Sequence, residues 1–208
     1  MLQRRTSQRE RQIPSVGQSC RSFAVRHPNA RLVHPLWHPE RCPGLSGLYA
    51  IINAIRLALA DRHPLGPSEL DRLIRAGFRF LNGRLSPEQA TVCGLRVTLW
   101  HALTDALIAV AQAQTGVRIV TERLMVTTMC DRLAALDVLE QAITSLRVPM
   151  MLCGGGHYTV VRGFTRASVL LLDSGDSSWV ARRSCGVPGD SVGRRHILFP
   201  SSFVALNV

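Results

Sequence analysis

The chain contains no lysine, so its formal charge of +11 is carried by arginine alone. Seven of the 25 arginines fall in residues 1–31, where Glu10 is the sole acidic residue. Such a surface attracts anions in general, which leaves an acidic protein partner for the arginine-rich N-terminal arm open beside the plainer reading of a compositional preference for arginine and a solvated tail. Aromatic residues are scarce: two tyrosines and six phenylalanines occur, none of them in the densest basic stretch. A stacking platform for single strands therefore lacks its rings, and no zinc-finger, helix-turn-helix or RNA-binding signature is present, so nucleic acid is disfavoured as a partner. No apolar run reaches the roughly 18 residues of a membrane span. The apolar stretches are broken by Arg56, Asp61, Asp105 and Gln112, which argues against stable membrane insertion. The basic N-terminus is not followed by the apolar core of a secretory signal. A cytoplasmic location is expected, with translocation as an effector left open.

Cysteine is present but unpatterned. Cys20, Cys42, Cys93, Cys130, Cys153 and Cys185 form no CxxC pair, and the histidines complete no structural zinc pattern. Reduced thiols, several in the core, no metal and no cofactor are the expectation. Cys42 competes as a reactive thiol, although Pro43-Gly44 after it favours a loop position.

With 46% hydrophobic and 19% charged residues, the chain can build one substantial core. Residues 1–30 lack periodicity and read as a flexible arginine-rich arm, leaving 31–208 as one domain. Leu48, Ile51, Ile52, Ile55 and Leu59 recur at helical spacing and predict a helix over 46–60, with Ser46 at its cap or in its first turn. Pro67-Ser68-Glu69 opens a short helix expected to end at Gly77. Ser86-Pro87-Glu88-Gln89 signals another helix start. Helices are expected over 99–114 and 131–146, the latter with Leu133, Leu136, Leu139, Ile143 and Leu146 on one side. Strands are expected at 117–121, 149–153, 158–164, 168–173 and, as an edge, 197–199. Helices first and antiparallel strands afterwards define an α+β domain.

Three pieces fit one chemistry. Ser46-Gly47 opens the apolar helix, His157 follows Gly154-Gly155-Gly156 at a strand start, and Asp173 ends the next strand sixteen residues on. In a ribbon turning near Arg166, His157 and Asp173 share one end. The carboxylate can then orient the imidazole, and the imidazole can activate a nucleophile at the helix N-terminus. Each residue also has an ordinary structural role open to it: Ser46 as a cap, His157 as a satisfied histidine, Asp173 as a turn former. The glycine run lacks the lysine of a phosphate loop. Trp37, Trp100 and Trp179 suit core or cleft-wall positions.

The segments Leu45-Ser46-Gly47-Leu48-Tyr49-Ala50, Gly156-His157-Tyr158-Thr159-Val160-Val161 and Val169-Leu170-Leu171-Leu172-Asp173 resemble the papain-like cysteine peptidases. Within that superfamily they are most similar to the bacteriocin-processing peptidases that cleave double-glycine leaders. The resemblance covers roughly residues 35–175. It implies a papain-like fold, hydrolysis of a peptide or protein substrate, His157 as base, Asp173 as its orienting acid and residue 46 as nucleophile. Two positions depart from the family pattern. Ser46 stands where the family has cysteine, by natural loss or by engineered inactivation. Glu40 stands where the family places the glutamine that donates to the oxyanion. A thiol of pKa about 8.5 can be drawn into an ion pair with histidine, whereas a serine hydroxyl cannot. An ionised Glu40 accepts hydrogen bonds and would repel an oxyanion, and losing one such donor costs roughly 3–4 kcal/mol in a working enzyme. A peptide- or protein-binding domain without catalysis is the alternative. A basic factor for nucleic acid or a membrane surface is a third.

Overall fold

The computed structural model describes residues 24–36, 45–86, 94–125, 130–175, 177–189 and 193–208. Glu40, Cys42, Cys20, Cys93, Trp37 and most of the helix start expected at Ser86-Pro87-Glu88-Gln89 lie outside these residues.

The elements run β1 (Val25–Arg26), α1 (Ser46–Leu59), α2 (Pro67–Leu81), α3 (Val97–Thr115), β2 (Val120–Arg123), α4 (Arg132–Thr144), β3 (Val148–Cys153), β4 (His157–Phe164), β5 (Ser168–Leu172), β6 (Trp179–Ala181), β7 (Cys185–Gly186), β8 (His196–Ile197) and β9 (Val204–Asn207). Helices thus pack against a multi-stranded antiparallel sheet, as the order of helical and strand periodicities in the sequence requires. The sheet order is β2-β9-β3-β4-β5-β6, and β1 also pairs with β4. Among the described residues, no helix is long and apolar enough to cross a membrane.

Alternation along the strands divides the core in two. Met150, Leu152, Tyr158, Val160, Leu172, Val204 and Leu206 face α1 and α3. Met151, Cys153, Val161, Phe164, Val169 and Leu171 face the other way, against Leu136, Leu139 and Ile143 of α4. Helix α1 is buried on nearly all sides because it lies between the sheet and the other two helices of its layer. Its internal polar residue, Asn53, is fully buried and accepts the Leu36 amide at Oδ1 (2.9 Å). That bond ties the segment before the helix to its middle.

Several boundaries differ from the sequence reading, each for a physical reason. Helix α2 runs through Gly77 to Leu81. Gly77 is a contact surface rather than a stop: a Cβ there would sit 2.3 Å from Leu48 Cδ1, so its bareness lets α2 lie against α1. The strand expected at 117–121 is β2, two to three residues further on, paired with β9. Residues 197–199 do not form an edge of the main sheet. His196–Ile197 instead pairs in parallel with Cys185–Gly186, and Leu198 bridges Cys153. The C-terminal strand β9, between β2 and β3, is absent from the sequence reading because four residues carry too little periodicity to stand out. Residues 24–30, the end of the expected arm, are built into the fold. Val25–Arg26 pairs with Gly163–Phe164, and a 3₁₀ turn over Pro28–Arg31 follows, with His27 and Asn29 buried.

The face of α4 is narrower than its leucine spacing implies. Leu136, Leu139 and Ile143 are buried, whereas Leu133 is 59% exposed and Leu146 lies beyond the helix at 65% exposure. Leu139→Ala should therefore lower the unfolding free energy by about 2–5 kcal/mol. Leu133→Ala should change it by less than about 0.5 kcal/mol. Urea unfolding of the two variants separates these values; equal losses would contradict the packing described.

Candidate functional site

Ser46 is the first residue of α1, with Leu45 rather than Ser46 in the capping position. Its side chain therefore does not close the helix end. Instead, Ser46 Oγ accepts the backbone amide of Tyr158 at 3.1 Å and is buried. This bond joins the first turn of α1 to the residue that follows His157.

Three further contacts hold that junction. Trp100 Nε1 donates to the Gly47 carbonyl (3.1 Å), tying the helix's first turn to α3. The Trp100 and Tyr158 rings stack with centroids 4.5 Å apart. Tyr158 Oη donates to the Leu95 carbonyl at 2.8 Å. Burial raises the Tyr158 phenol above its ordinary range, so it stays a donor. Gly47 is required by this packing, since a Cβ would lie 2.7 Å from Leu95 Cδ1, 2.9 Å from Trp100 Cδ1 and 3.2 Å from Tyr158 Cδ2.

His157 begins β4 immediately after Gly154–Gly156, in which Gly155 and Gly156 have φ of +79° and +80°. Left-handed backbone of this kind suits glycine, and it turns the chain from β3 straight back into β4. His157 Nε2 meets Asp173 Oδ1 at 2.6 Å. Asp173 stands just past β5, its side chain 3% exposed, and its Oδ2 also accepts the Gly175 amide (3.2 Å). Both oxygens of this buried carboxylate thus have a hydrogen-bond partner. With Nε2 directed at the carboxylate, Nδ1 is the nitrogen left for other work, and the His157 side chain is 36% exposed, so solvent and solutes reach it.

The structure thus brings His157 and Asp173 into direct contact and bonds Ser46 to the backbone next to His157. Glu40, the fourth candidate, lies outside the described residues, as does Cys42. The sequence reading missed the parts played by Trp100 and Tyr158 in fixing Ser46. The sequence places Trp100 only in a core or wall, and no spacing rule links it to a helix some fifty residues earlier (Trp100 to Gly47 spans 53 positions). Trp179 is 57% exposed and follows the acid by six positions.

Cys153 and Cys185 are buried free thiols. Burial first, and the Asp173 charge in addition, raise the Cys153 thiol. Burial pushes the Cys185 thiol up to about 11, with Cys153 contributing to the rise. Neither suits a nucleophile, which acts as thiolate. Among the described residues no group of three or more His, Cys, Asp and Glu is arranged to hold a metal ion. Comparison of the chain with protein-family models, with curated proteins and with solved structures gives no match.

Gly47→Ala should destabilise the fold by about 1–3 kcal/mol, because Leu95, Trp100 and Tyr158 must move to admit the methyl group. Urea unfolding followed by tryptophan fluorescence measures this; a neutral effect would mean that the junction has slack. Native Cys185 should react with iodoacetamide at pH 8 on the order of a hundredfold more slowly than in denatured protein. Equal rates would show the thiol to be accessible and unshifted.

Proposed function

We propose that this chain is a papain-like peptidase-type domain acting on a peptide or protein substrate, with Ser46 in the nucleophile position, His157 as base and Asp173 as the acid that orients it. The observation that carries the reading is the 2.6 Å His157–Asp173 contact next to a helix-opening residue whose hydroxyl is bonded to the Tyr158 amide. The order of the three residues along the chain, and their origin on one helix start and two adjacent strands, support the same reading.

In this mechanism Asp173 accepts the Nε2 proton of His157 in a hydrogen bond and fixes the tautomer, leaving Nδ1 unprotonated. Nδ1 takes the proton of the residue 46 side chain as its heteroatom attacks the substrate carbonyl carbon. The imidazolium then gives that proton to the leaving amine, the C–N bond breaks, and an acyl-enzyme remains. Water, deprotonated by the same nitrogen, releases the acid. With serine, proton transfer must accompany attack, because no stable alkoxide forms beside a histidine. Ser46 therefore mutes the thiol-type chemistry for which the site is laid out, and the amide of Tyr158 occupies part of the same oxygen.

A second reading has its own observation. A buried serine held by a backbone amide is a structural hydrogen-bond acceptor, which suits a domain that keeps the cleft and binds peptide without cleaving it. One experiment separates the two. Ser46→Cys should become labelled at residue 46 by a thiol-directed acylating probe, and His157→Ala in the same background should reduce the labelling rate by about 10²-fold or more. The parent chain should give no label at that position. A correctly folded Ser46→Cys protein that labels no faster than its His157→Ala derivative would sink the hydrolase reading and leave the binding domain.

A further inference from the structure

The far end of β4 carries a feature that the Ser46 site does not use. Arg26, His27, Pro28, Ala30, Arg31, Arg162 and Leu170 line a cavity of about 460 Å³. That size lies within the roughly 300–1,000 Å³ of small-ligand sites. Among its described lining residues three carry guanidinium groups and none a carboxylate. Among the described residues, Arg26, Arg31 and Arg162 make no ion pair or side-chain hydrogen bond. Elsewhere in this chain arginines find acids, as Arg75 does with Asp71 and Arg182 with Glu140.

Two devices of the backbone bring the three charges together. The first is a β-bulge. The β4–β5 register shifts between Val161 and Gly163, so Arg162 is an extra residue in its strand. Gly163 is then paired with Leu170 on one side and Arg26 on the other. Its lack of a side chain matters here, since a Cβ would lie 2.6 Å from the Val25 carbonyl and 3.0 Å from Arg26 Cγ. Arg26 thereby crosses close over bare backbone.

The second device is a brace under the segment that holds Arg26 and Arg31. His27, 4% exposed, accepts the Asn29 amide at Nδ1 (3.3 Å) and donates from Nε2 to the Leu146 carbonyl (3.2 Å). Asn29 Nδ2 donates to the Leu57 carbonyl (3.1 Å) and to Asp61 (2.8 Å). These anchors are specific, and they fix a six-residue hook whose two arginines are exposed. His27 with that pattern of bonds is the neutral tautomer, and burial opposes its protonation, so it adds no charge. Asp61, the nearby acid, accepts from Asn29 beside Arg62 and lines the neighbouring cavity rather than this one.

We propose that this cavity is a binding site for a phosphate-bearing anion, held by the guanidinium groups of Arg26, Arg31 and Arg162. Guanidinium forks match phosphate oxygens in pairs, and three of them without a counter-charge suit a group of charge −2. The site is separate from the one at Ser46, because Gly163 lies roughly 20 Å along β4 from His157. Trp179 is paired with Leu170 and ends the row that runs Arg26, Gly163, Leu170 across the sheet. It is exposed next to the lining residue Leu170 and offers a stacking surface if the phosphate is attached to a base.

The test is titration calorimetry of the full chain with pyrophosphate at a fixed ionic strength of about 0.15 M. Saturable binding at one site is expected, with Arg162→Gln and Arg31→Gln each weakening it by at least about tenfold. Arg79→Gln, on the exposed side of α2, should leave it unchanged. Circular dichroism checks folding; should Arg162→Gln unfold, Arg31→Gln on the exposed hook decides the matter. No saturable heat, or the same loss in Arg79→Gln, would overturn the proposal. A nucleoside diphosphate that binds more tightly than pyrophosphate, with the gain lost in Trp179→Ala, identifies a nucleotide as the source. Equal affinities identify the phosphate group alone as what is recognised.

Discussion

The junction between the first turn of α1 and the start of β4 governs the geometry of everything near Ser46. Gly47 makes it possible, since any side chain there would strike Leu95, Trp100 and Tyr158. Its bare Cα lets the Trp100–Tyr158 stack press against the helix end, and Trp100 Nε1 and the Tyr158 amide then bond Gly47 and Ser46 in turn. Contributions from three elements meet within two residues. A helix start held this way cannot fray as exposed helix ends do, and its side-chain oxygen has a defined position relative to the strand that begins with His157.

Around that junction the sheet acts as a divider. Odd and even residues of β3 and β4 serve separate cores, one under α1 and α3, the other under α4. His157 and Asp173 meet at the end of adjacent strands where the ladder stops and backbone groups turn to other partners, as the Asp173–Gly175 bond illustrates. At the opposite end of β4 a single extra residue, Arg162, interrupts the register and joins Arg26 and Arg31 in the cavity lining. The same strand thus presents two chemically different ends, an acid–imidazole pair and a group of guanidinium groups that have no ion pair among the described residues. On the proposals made above, one end handles a carbonyl and the other an anion.

Much of the architecture was legible in the sequence where a period repeats. The apolar stripe of α1, the stop of α3 at Gly116 and the paired strands β4 and β5 follow from spacing and from residues with special backbone preferences. The pairing of His157 with Asp173 was legible too, because two strands joined by a short turn bring residues at their outer ends together. What was misread shares one cause. Gly77 looks like a helix stop and is a helix–helix contact; Leu133 and Leu146 look like core and are exposed; β9 is too short to announce itself. In each case the deciding neighbour is far away in the chain.

The sequence by itself determined that Ser46-Gly47 opens a buried helix, that His157 and Asp173 fall at one end of a hairpin, and that all positive side-chain charge besides histidine resides in arginine. These are local properties, set by periodicity, turn chemistry and composition. Tertiary structure alone decided that the Ser46 hydroxyl bonds the Tyr158 amide, that Trp100 clamps the helix start, and that Arg26 and Arg31 leave the basic N-terminal stretch to stand beside Arg162. Those outcomes depend on close approach between segments separated by dozens of residues. Such approach is fixed by the absence of a side chain at Gly47 and Gly163 and by buried hydrogen bonds whose partners no local pattern specifies.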